Sequence, residues 1–290
     1  MILITGASGS VGRAVLEEVR KTGKPFKAMY RNAEDAKKAP PGVPTVLADF
    51  ADTNSLKQAL QGIDTAFVVC SPIPQLVELE GNMIDACKEA GVRHVVLNSA
   101  LGAGDYPKSF PSWHRKVEDK LQASGLGYTI LRPNGFMQNI VTYYAPSIRD
   151  QGAFYASMGT AKTSVIDVRD VGLAGAKTLI APAEHAGKTY ELNGPEAVSN
   201  EEIAARISRL TGQTVRYVDV PGEAQRKSML ELGMPEWQVT ALLELQEYYA
   251  TGKCGAVTEV LPKLLGRPPI TLDQYLNEFK DSFRGQAAGA

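Results

Sequence analysis

Gly6, Gly9 and Gly12 stand near the start of the chain with the spacing Gly-x-x-Gly-x-x-Gly. Glycine lets a backbone come close to another group where a Cβ would clash. These glycines lie between the apolar run Ile2-Leu3-Ile4, which suits a buried strand, and the stretch Arg13 to Lys21. In that stretch Val15, Leu16 and Val19 share one helical face with Val11. Strand, glycine turn and helix in this order make an anion site, because the first helical turn has unpaired N–H groups and the positive end of the helix dipole. The anion is a pyrophosphate, and Gly6, Ser8, Gly9, Ser10, Val11 and Gly12 are its candidate contacts. A helix-entry turn without a ligand is the plainer alternative, but the strand and helix on either side favour the phosphate.

Further candidates follow each expected strand. Arg31 ends the second strand, Phe26–Tyr30, where a dinucleotide fold meets the adenine ribose. An acidic residue there binds a 2′-hydroxyl, and an arginine suits a 2′-phosphate, so NADP is expected over NAD. A solvated surface arginine is the alternative. Asp49 and Phe50 follow a short third strand, 44–48, placed to meet the adenine amino group and ring; a cap and a core contact explain them equally well. Asp52 or Thr53 caps the next helix, about 55–60. Ser71 follows the fourth strand, 64–70, and faces the nicotinamide ribose or phosphate. A helix over 75–90, closed by Gly91, and a fifth strand over 92–99 continue the alternation. Such alternation implies an α/β fold of Rossmann type: a doubly wound parallel sheet with helices on both faces.

The bulk numbers narrow the class. The chain has 290 residues, with 31 Lys plus Arg against 32 Asp plus Glu. No basic block points to nucleic acid, and no apolar run reaches membrane-spanning length. With a strand at the N-terminus there is no room for a secretory signal. Cys70, Cys87 and Cys254 are odd in number and read as reduced thiols of a cytoplasmic protein. The three histidines, His94, His114 and His185, form no metal motif, so no metal is expected. There is no internal repeat.

The pattern resembles the short-chain dehydrogenase/reductase superfamily, and more narrowly its atypical NmrA-like branch. The stretches that carry the resemblance are Thr5 to Gly12, Tyr30-Arg31-Asn32, Val96 to Ala100, Ser112 to Glu118, Tyr128 to Asn139, Ile166 to Val171 and Tyr190 to Pro195. Arg132-Pro133-x-Gly135-Phe136-Met137-x-Asn139 is the more diagnostic piece. The resemblance points to members that reduce quinones, azo compounds and triphenylmethane dyes with NAD(P)H. It implies that Asn98 and Ser99 lie beside the nicotinamide, and that the loop Pro133-Asn134-Gly135-Phe136 lies against its face. The Tyr-x-x-x-Lys pair of the wider superfamily is missing. Phe110 falls in the tyrosine slot and His114 in the lysine slot. His114 is therefore the candidate catalytic residue, as ribose anchor or proton donor; a helix residue without that role is the alternative.

Phe136, Met137, Tyr144 and Trp237 are the candidate acceptor contacts, with core packing as the alternative. A helix over 139–149 is expected to break or kink at Pro146. Asp167 precedes a helix over 168–180, and 188–192 is a strand. Ser199 and Glu202 form a capping box for a helix ending near Gly212, and a strand is expected over 214–220. The stretch 221–252 is helical with a break at Gly233-Met234-Pro235, and the last helix spans 272–283. Residues 1–150 are expected to form the dinucleotide-binding core, with 160–195 returning to it. Residues 196–284 form a smaller helix-rich lobe and 285–290 a frayed tail.

Without the tyrosine, ordinary alcohol dehydrogenation is disfavoured. Direct hydride delivery to a small, planar, apolar acceptor is expected instead: a quinone, azo compound, dye or activated double bond. The expected activity is that of an NADPH-dependent oxidoreductase whose partners are the cofactor and a small molecule, with a homodimer left open. The competing class is an NADP(H)-binding redox sensor that acts through a protein partner. An epimerase-like enzyme is a third reading, against which the missing tyrosine argues.

Overall fold

The computed structural model describes residues 1–284; the tail 285–290, expected to fray, lies outside the described residues. In chain order the first elements are β1 (Ile2–Ile4), α1 (Ser10–Arg20), β2 (Phe26–Tyr30), α2 (Ala33–Ala36), β3 (Thr45–Leu47) and α3 (Thr53–Ala59). Then come β4 (Thr65–Val68), α4 (Leu76–Glu89), β5 (His94–Asn98), α5 (Ser109–Ala123) and β6 (Gly127–Pro133). The next group is α6 (Ala145–Gln151), β7 (Ala153–Ala156), β8 (Lys162–Thr163), α7 (Val168–Ile180), α8 (Pro182–His185) and β9 (Lys188–Leu192). The chain ends with β10 (Val198–Ser199), α9 (Asn200–Thr211), β11 (Arg216–Asp219), α10 (Gly222–Glu231), α11 (Glu236–Ala250), α12 (Val260–Leu265) and α13 (Leu272–Glu278).

The contacts divide the chain into two units. The first comprises Met1–Pro133, Val168–Leu192 and Lys263–Gly266; the second comprises Asn134–Asp167, Asn193–Pro262 and Arg267 onward. The first unit thus ends its long segment at Pro133, where the sequence leads one to expect a boundary near residue 150.

The first unit holds a seven-stranded sheet in the order β3-β2-β1-β4-β5-β6-β9, and every pairing is parallel. This is the expected doubly wound α/β fold. Alternate residues of the strands face opposite layers, as the pleat requires. Leu3, Ala66, Val68, Val95 and Leu97 pack with Leu56, Met83, Ile84, Val117 and Leu121 of α3, α4 and α5. On the other face Gly175 of α7 lies against Val15 of α1 and Phe67 of β4. Asp52 caps α3 by accepting the Asn54 and Ser55 N–H groups.

The second unit is helix-rich, with two small sheets: antiparallel β10-β8 and parallel β11-β7. Its core gathers Met137, Ile140, Ile148, Phe154, Ile203 and Ile207 around Leu272, Tyr275 and Phe283. Ser199 and Glu202 close the expected capping box on α9. Pro146 lies in the first turn of α6, directly after a wider π-helical turn, Ile140–Tyr144. A proline has no N–H to give the preceding turn, and the widened turn absorbs that loss. The last helix is shorter than expected: α13 stops at Glu278, and a 3₁₀ turn, Lys280–Phe283, follows. No helix among the described residues is long and apolar enough to cross a membrane.

Candidate functional site

The glycine turn is built by close contact. Gly6 has φ +59°, and a Cβ there would come within 2.6 Å of Val69 Cγ1. A Cβ at Gly12 would lie 2.2 Å from the Gly6 carbonyl oxygen, so α1 is pressed onto the turn from which it springs. The Gly9 N–H donates to Gly6 O at 2.9 Å, and Gly9 is the N-cap of α1 with no side chain capping the helix. Ser8, Gly9 and Ser10 are exposed, whereas Val11 and Gly12 are buried. The turn therefore presents backbone and two hydroxyls at an uncapped helix start, which is the chemistry of a phosphate site. Thr5 Oγ1 accepts the Val69 N–H at 3.1 Å and ties the end of β1 to the end of β4.

Because the strands run parallel, the residues that follow them line one edge of the sheet. Arg31 after β2 and Ser71 beyond β4 are both exposed there. Asp49 accepts the Ala51 N–H at 2.9 Å and so shapes its own turn. Phe50 is buried in the core of the first unit, and its carbonyl accepts from Asn82 Nδ2 at 3.0 Å. Its ring has the core contact offered above as the alternative to an adenine contact.

Beyond β5 the structure shows an arrangement that the sequence did not disclose. Ser99 Oγ donates to Glu118 Oε1 at 2.6 Å. Arg132 holds the same carboxylate in a fork, Nε to Oε1 at 2.9 Å and Nη2 to Oε2 at 2.6 Å. Glu118 is 1 % exposed, so this is a buried ion pair held by a two-pronged fork. The guanidinium pKa is raised, first by the hydrogen bonds it donates to Glu118. With its proton directed to Glu118, Ser99 keeps its lone pairs for an incoming donor such as a ribose hydroxyl. Asn98 is buried beside it and its Oδ1 has no hydrogen-bond partner.

His114 lies on α5, one turn before Glu118, and is buried with no partner on Nδ1. Burial lowers its pKa to about 4, against a smaller opposing effect of Glu118. The imidazole is neutral at pH 7. As the neutral ring it can donate one hydrogen bond and accept another. Phe110, in the tyrosine slot, stands edge-on to Trp113 at a centroid distance of 5.3 Å and has no proton to give.

Pro133 is the last residue of β6, and its carbonyl accepts the Leu101 N–H at 2.9 Å. In the second unit Asn134 is buried and engaged with its own unit. It donates to Asn193 Oδ1 at 2.9 Å and to the Cys254 carbonyl at 2.8 Å, and accepts the Gly135 N–H at 2.7 Å. Phe136 is half-buried and bridges to Ile166. Met137 is fully buried in that unit's core, and Tyr144 stacks on Phe154 with centroids 4.4 Å apart. Burial pushes the Tyr144 hydroxyl up to about 12. Trp237 lies in the first turn of α11, 38 % exposed. Cys70, Cys87 and Cys254 form no disulfide with one another.

Comparison with known proteins agrees with this geometry. The chain is 34% identical over 285 residues to an NAD(P)H azoreductase from Xenophilus azovorans, covering 98% of this chain and 99% of that protein. It is 30% identical over 281 residues to quinone oxidoreductase 2 of Escherichia coli, covering 96% and 98%. The crystal structure of an NADPH-dependent quinone oxidoreductase from Escherichia coli, complexed with NADPH, superposes with a TM-score of 0.90 at 29% identity, covering 96% of this chain and 99% of that one. The model of the NmrA-like family matches residues 1–276, and the chain belongs to that family.

Proposed function

We propose that the protein is an NADPH-dependent reductase that delivers hydride to a small planar acceptor such as a quinone or an azo compound. The observation that carries the reading is the glycine turn: Gly6, Gly9 and Gly12 at the uncapped start of α1, packed so closely that only glycine fits at position 12. It offers N–H groups and the positive end of a helix dipole to a pyrophosphate. Arg31, exposed at the end of β2, supplies a cation for a 2′-phosphate. Relatives named for NAD(P)H-dependent azo and quinone reduction support the same cofactor and acceptor class.

In this scheme the cofactor supplies the hydride when bound, and the protein binds and orients it. Ser99, its O–H donating to Glu118, accepts from the nicotinamide ribose. His114 adds a neutral hydrogen-bonding group. A quinone or azo nitrogen takes its proton from solvent, so no strong protein acid is needed. The absence of tyrosine from the slot held by Phe110 favours one alternative, an NADP(H)-binding regulator without turnover.

A fluorescence titration with NADPH and NADH, followed by addition of a quinone and an azo dye, tests both readings. NADPH binding tighter than NADH binding, with NADPH consumed on addition of acceptor, is the expected result. Binding without consumption against a panel of quinones, azo dyes and enones overturns the reductase in favour of the regulator.

A further inference from the structure

Tyr249 stands in the last turn of α11. Its neighbour Tyr248 is buried, whereas Tyr249 is half-buried. Among the described residues no hydrogen bond reaches the Tyr249 oxygen. Tyrosine hydroxyls withdrawn from solvent usually have a partner, so this O–H is a donor available to an incoming lone pair.

The chain holds that donor against one loop. A Cβ at Gly135 would lie 3.0 Å from the Tyr249 oxygen and 3.5 Å from Cζ, so the glycine leaves the space beside the hydroxyl open. Gly135 follows the carboxyl end of β6 by two residues, and ligands of open α/β sheets bind at such ends. Its own polar groups are engaged: the N–H donates to Asn134 Oδ1 at 2.7 Å, and the carbonyl accepts the Ile166 N–H at 2.9 Å. Asn134 Nδ2 in turn donates to the Cys254 carbonyl at 2.8 Å, which also accepts the Ser164 N–H at 2.9 Å. The 3₁₀ turn Lys253–Gly255, which follows α11, is thereby tied to the loop, and the end of α11 with it.

The surroundings suit a flat apolar molecule with a lone pair at one end. Leu242 and Leu245 share the Tyr249 face of α11 by helical spacing and are half-buried like it, as is Phe136 beside Gly135. A second phenol, Tyr144, lies close enough to Tyr249 for their charges to interact.

We propose that the Tyr249 hydroxyl is the contact that recognises the carbonyl oxygen of the acceptor, so that a quinone is chosen over a hydrocarbon of the same shape. The proposal rests on the reductase reading above. Uptake of hydride turns the quinone into a hydroquinone anion with its charge on oxygen, and solvent supplies the proton that neutralises it. Tyr249 keeps its own proton, since burial first and then Cys254 and Tyr144 hold the phenol above the ordinary tyrosine value. Its hydrogen bond strengthens as charge gathers on the oxygen.

The test is binding of 1,4-naphthoquinone, and of naphthalene as the same frame without oxygen, to the full chain saturated with NADP⁺, read by quenching of tryptophan fluorescence. Tyr249→Phe keeps the ring and is expected to melt with wild type. It should bind naphthoquinone about 3- to 10-fold more weakly, the worth of one neutral hydrogen bond, and naphthalene within about twofold of wild type. In turnover, kcat/KM for the quinone should fall by at least that factor while the KM for NADPH holds. Gly135→Ala is an independent variant. Its Cβ crowds the hydroxyl at 3.0 Å, so it should weaken naphthoquinone binding in the wild-type background and not in Tyr249→Phe. Unchanged naphthoquinone affinity in Tyr249→Phe, an equal loss for naphthalene, or a Gly135→Ala loss that persists in Tyr249→Phe overturns the proposal and leaves the reductase standing. Wild type that consumes no NADPH with any quinone overturns the reductase reading and the proposal with it.

Discussion

The Ser99 hydroxyl donates a hydrogen bond to Glu118 Oε1 at 2.6 Å, and Glu118 is pinned from the other side by Arg132. The consequence is a serine with a fixed orientation at the end of β5, held by a charge pair that water barely reaches. Removing one partner of such a pair leaves a buried charge, which destabilises more than losing both. Arg132→Met is therefore expected to cost about 3–5 kcal/mol in urea unfolding. The double variant Arg132→Met/Glu118→Leu should recover part of that loss. Additive single losses in the double variant would refute the coupling.

The two later glycines of the turn should separate folding from binding. A Cβ at Gly12 would meet backbone at 2.2 Å, so Gly12→Ala must push α1 away from the turn. About 1–3 kcal/mol of lost stability and no measurable NADPH binding are expected. A Cβ at Gly9 meets only Gly6 O, at 3.4 Å, and φ there is −87°, open to any residue. Gly9→Ala should fold within about 0.5 kcal/mol of wild type and still bind NADPH more weakly, because its new methyl stands where the phosphate approaches. Equal NADPH affinity in Gly9→Ala and wild type would remove the turn as a phosphate site.

Arg31 should decide between the two nicotinamide cofactors. It is exposed at the end of β2, and the following Asn32 caps α2 by accepting the Asp35 N–H, which fixes where the strand ends. A charged hydrogen bond to a 2′-phosphate contributes about 1.5–3 kcal/mol. Arg31→Ala should thus weaken NADPH roughly 10- to 100-fold and leave NADH within about twofold. A parallel loss for both cofactors, seen by fluorescence titration, would mean that Arg31 does not read the phosphate.

Much of the first unit was legible because its strands are buried on both faces and its helices carry an unbroken apolar stripe. β2 and α7 have the expected bounds, Phe26–Tyr30 and Val168–Ile180, and in the second unit α10 and α11 part at the expected break. β7, β8 and β10 were not legible, since two to four residues are too few to show a period of two. The candidate site divides in the same way. Gly6, Gly9 and Gly12 announce themselves through spacing. Glu118 and Arg132 do not, because nothing local in the sequence says that residues on α5 and β6 will meet in the interior. Glu80 did leave a trace of its burial on α4: it stands four residues from both Leu76 and Ile84, inside the apolar stripe of that helix. Met137 and Asn134 left no such trace, because their burial depends on partners far along the chain.

His114 gives a prediction for acid. Its folded-state pKa, about 4, lies below the ordinary histidine value because burial disfavours the imidazolium. Between those two values the unfolded chain binds the proton and the folded chain does not, so stability must fall as pH drops from about 6.5 to 4. His94 and His185 are lowered in the same direction by burial, so all three histidines add to the overall slope. The informative quantity is the difference between wild type and His114→Gln, a neutral substitute with donor and acceptor. That difference should shrink by up to about 3 kcal/mol across the window. The same variant tests the role in catalysis. With a neutral imidazole in the wild type, kcat should show no His114-dependent limb between pH 6 and 8, and His114→Gln should keep that flat profile while raising the KM for NADPH. A kcat limb in this range that disappears in His114→Gln would instead make His114 a proton donor.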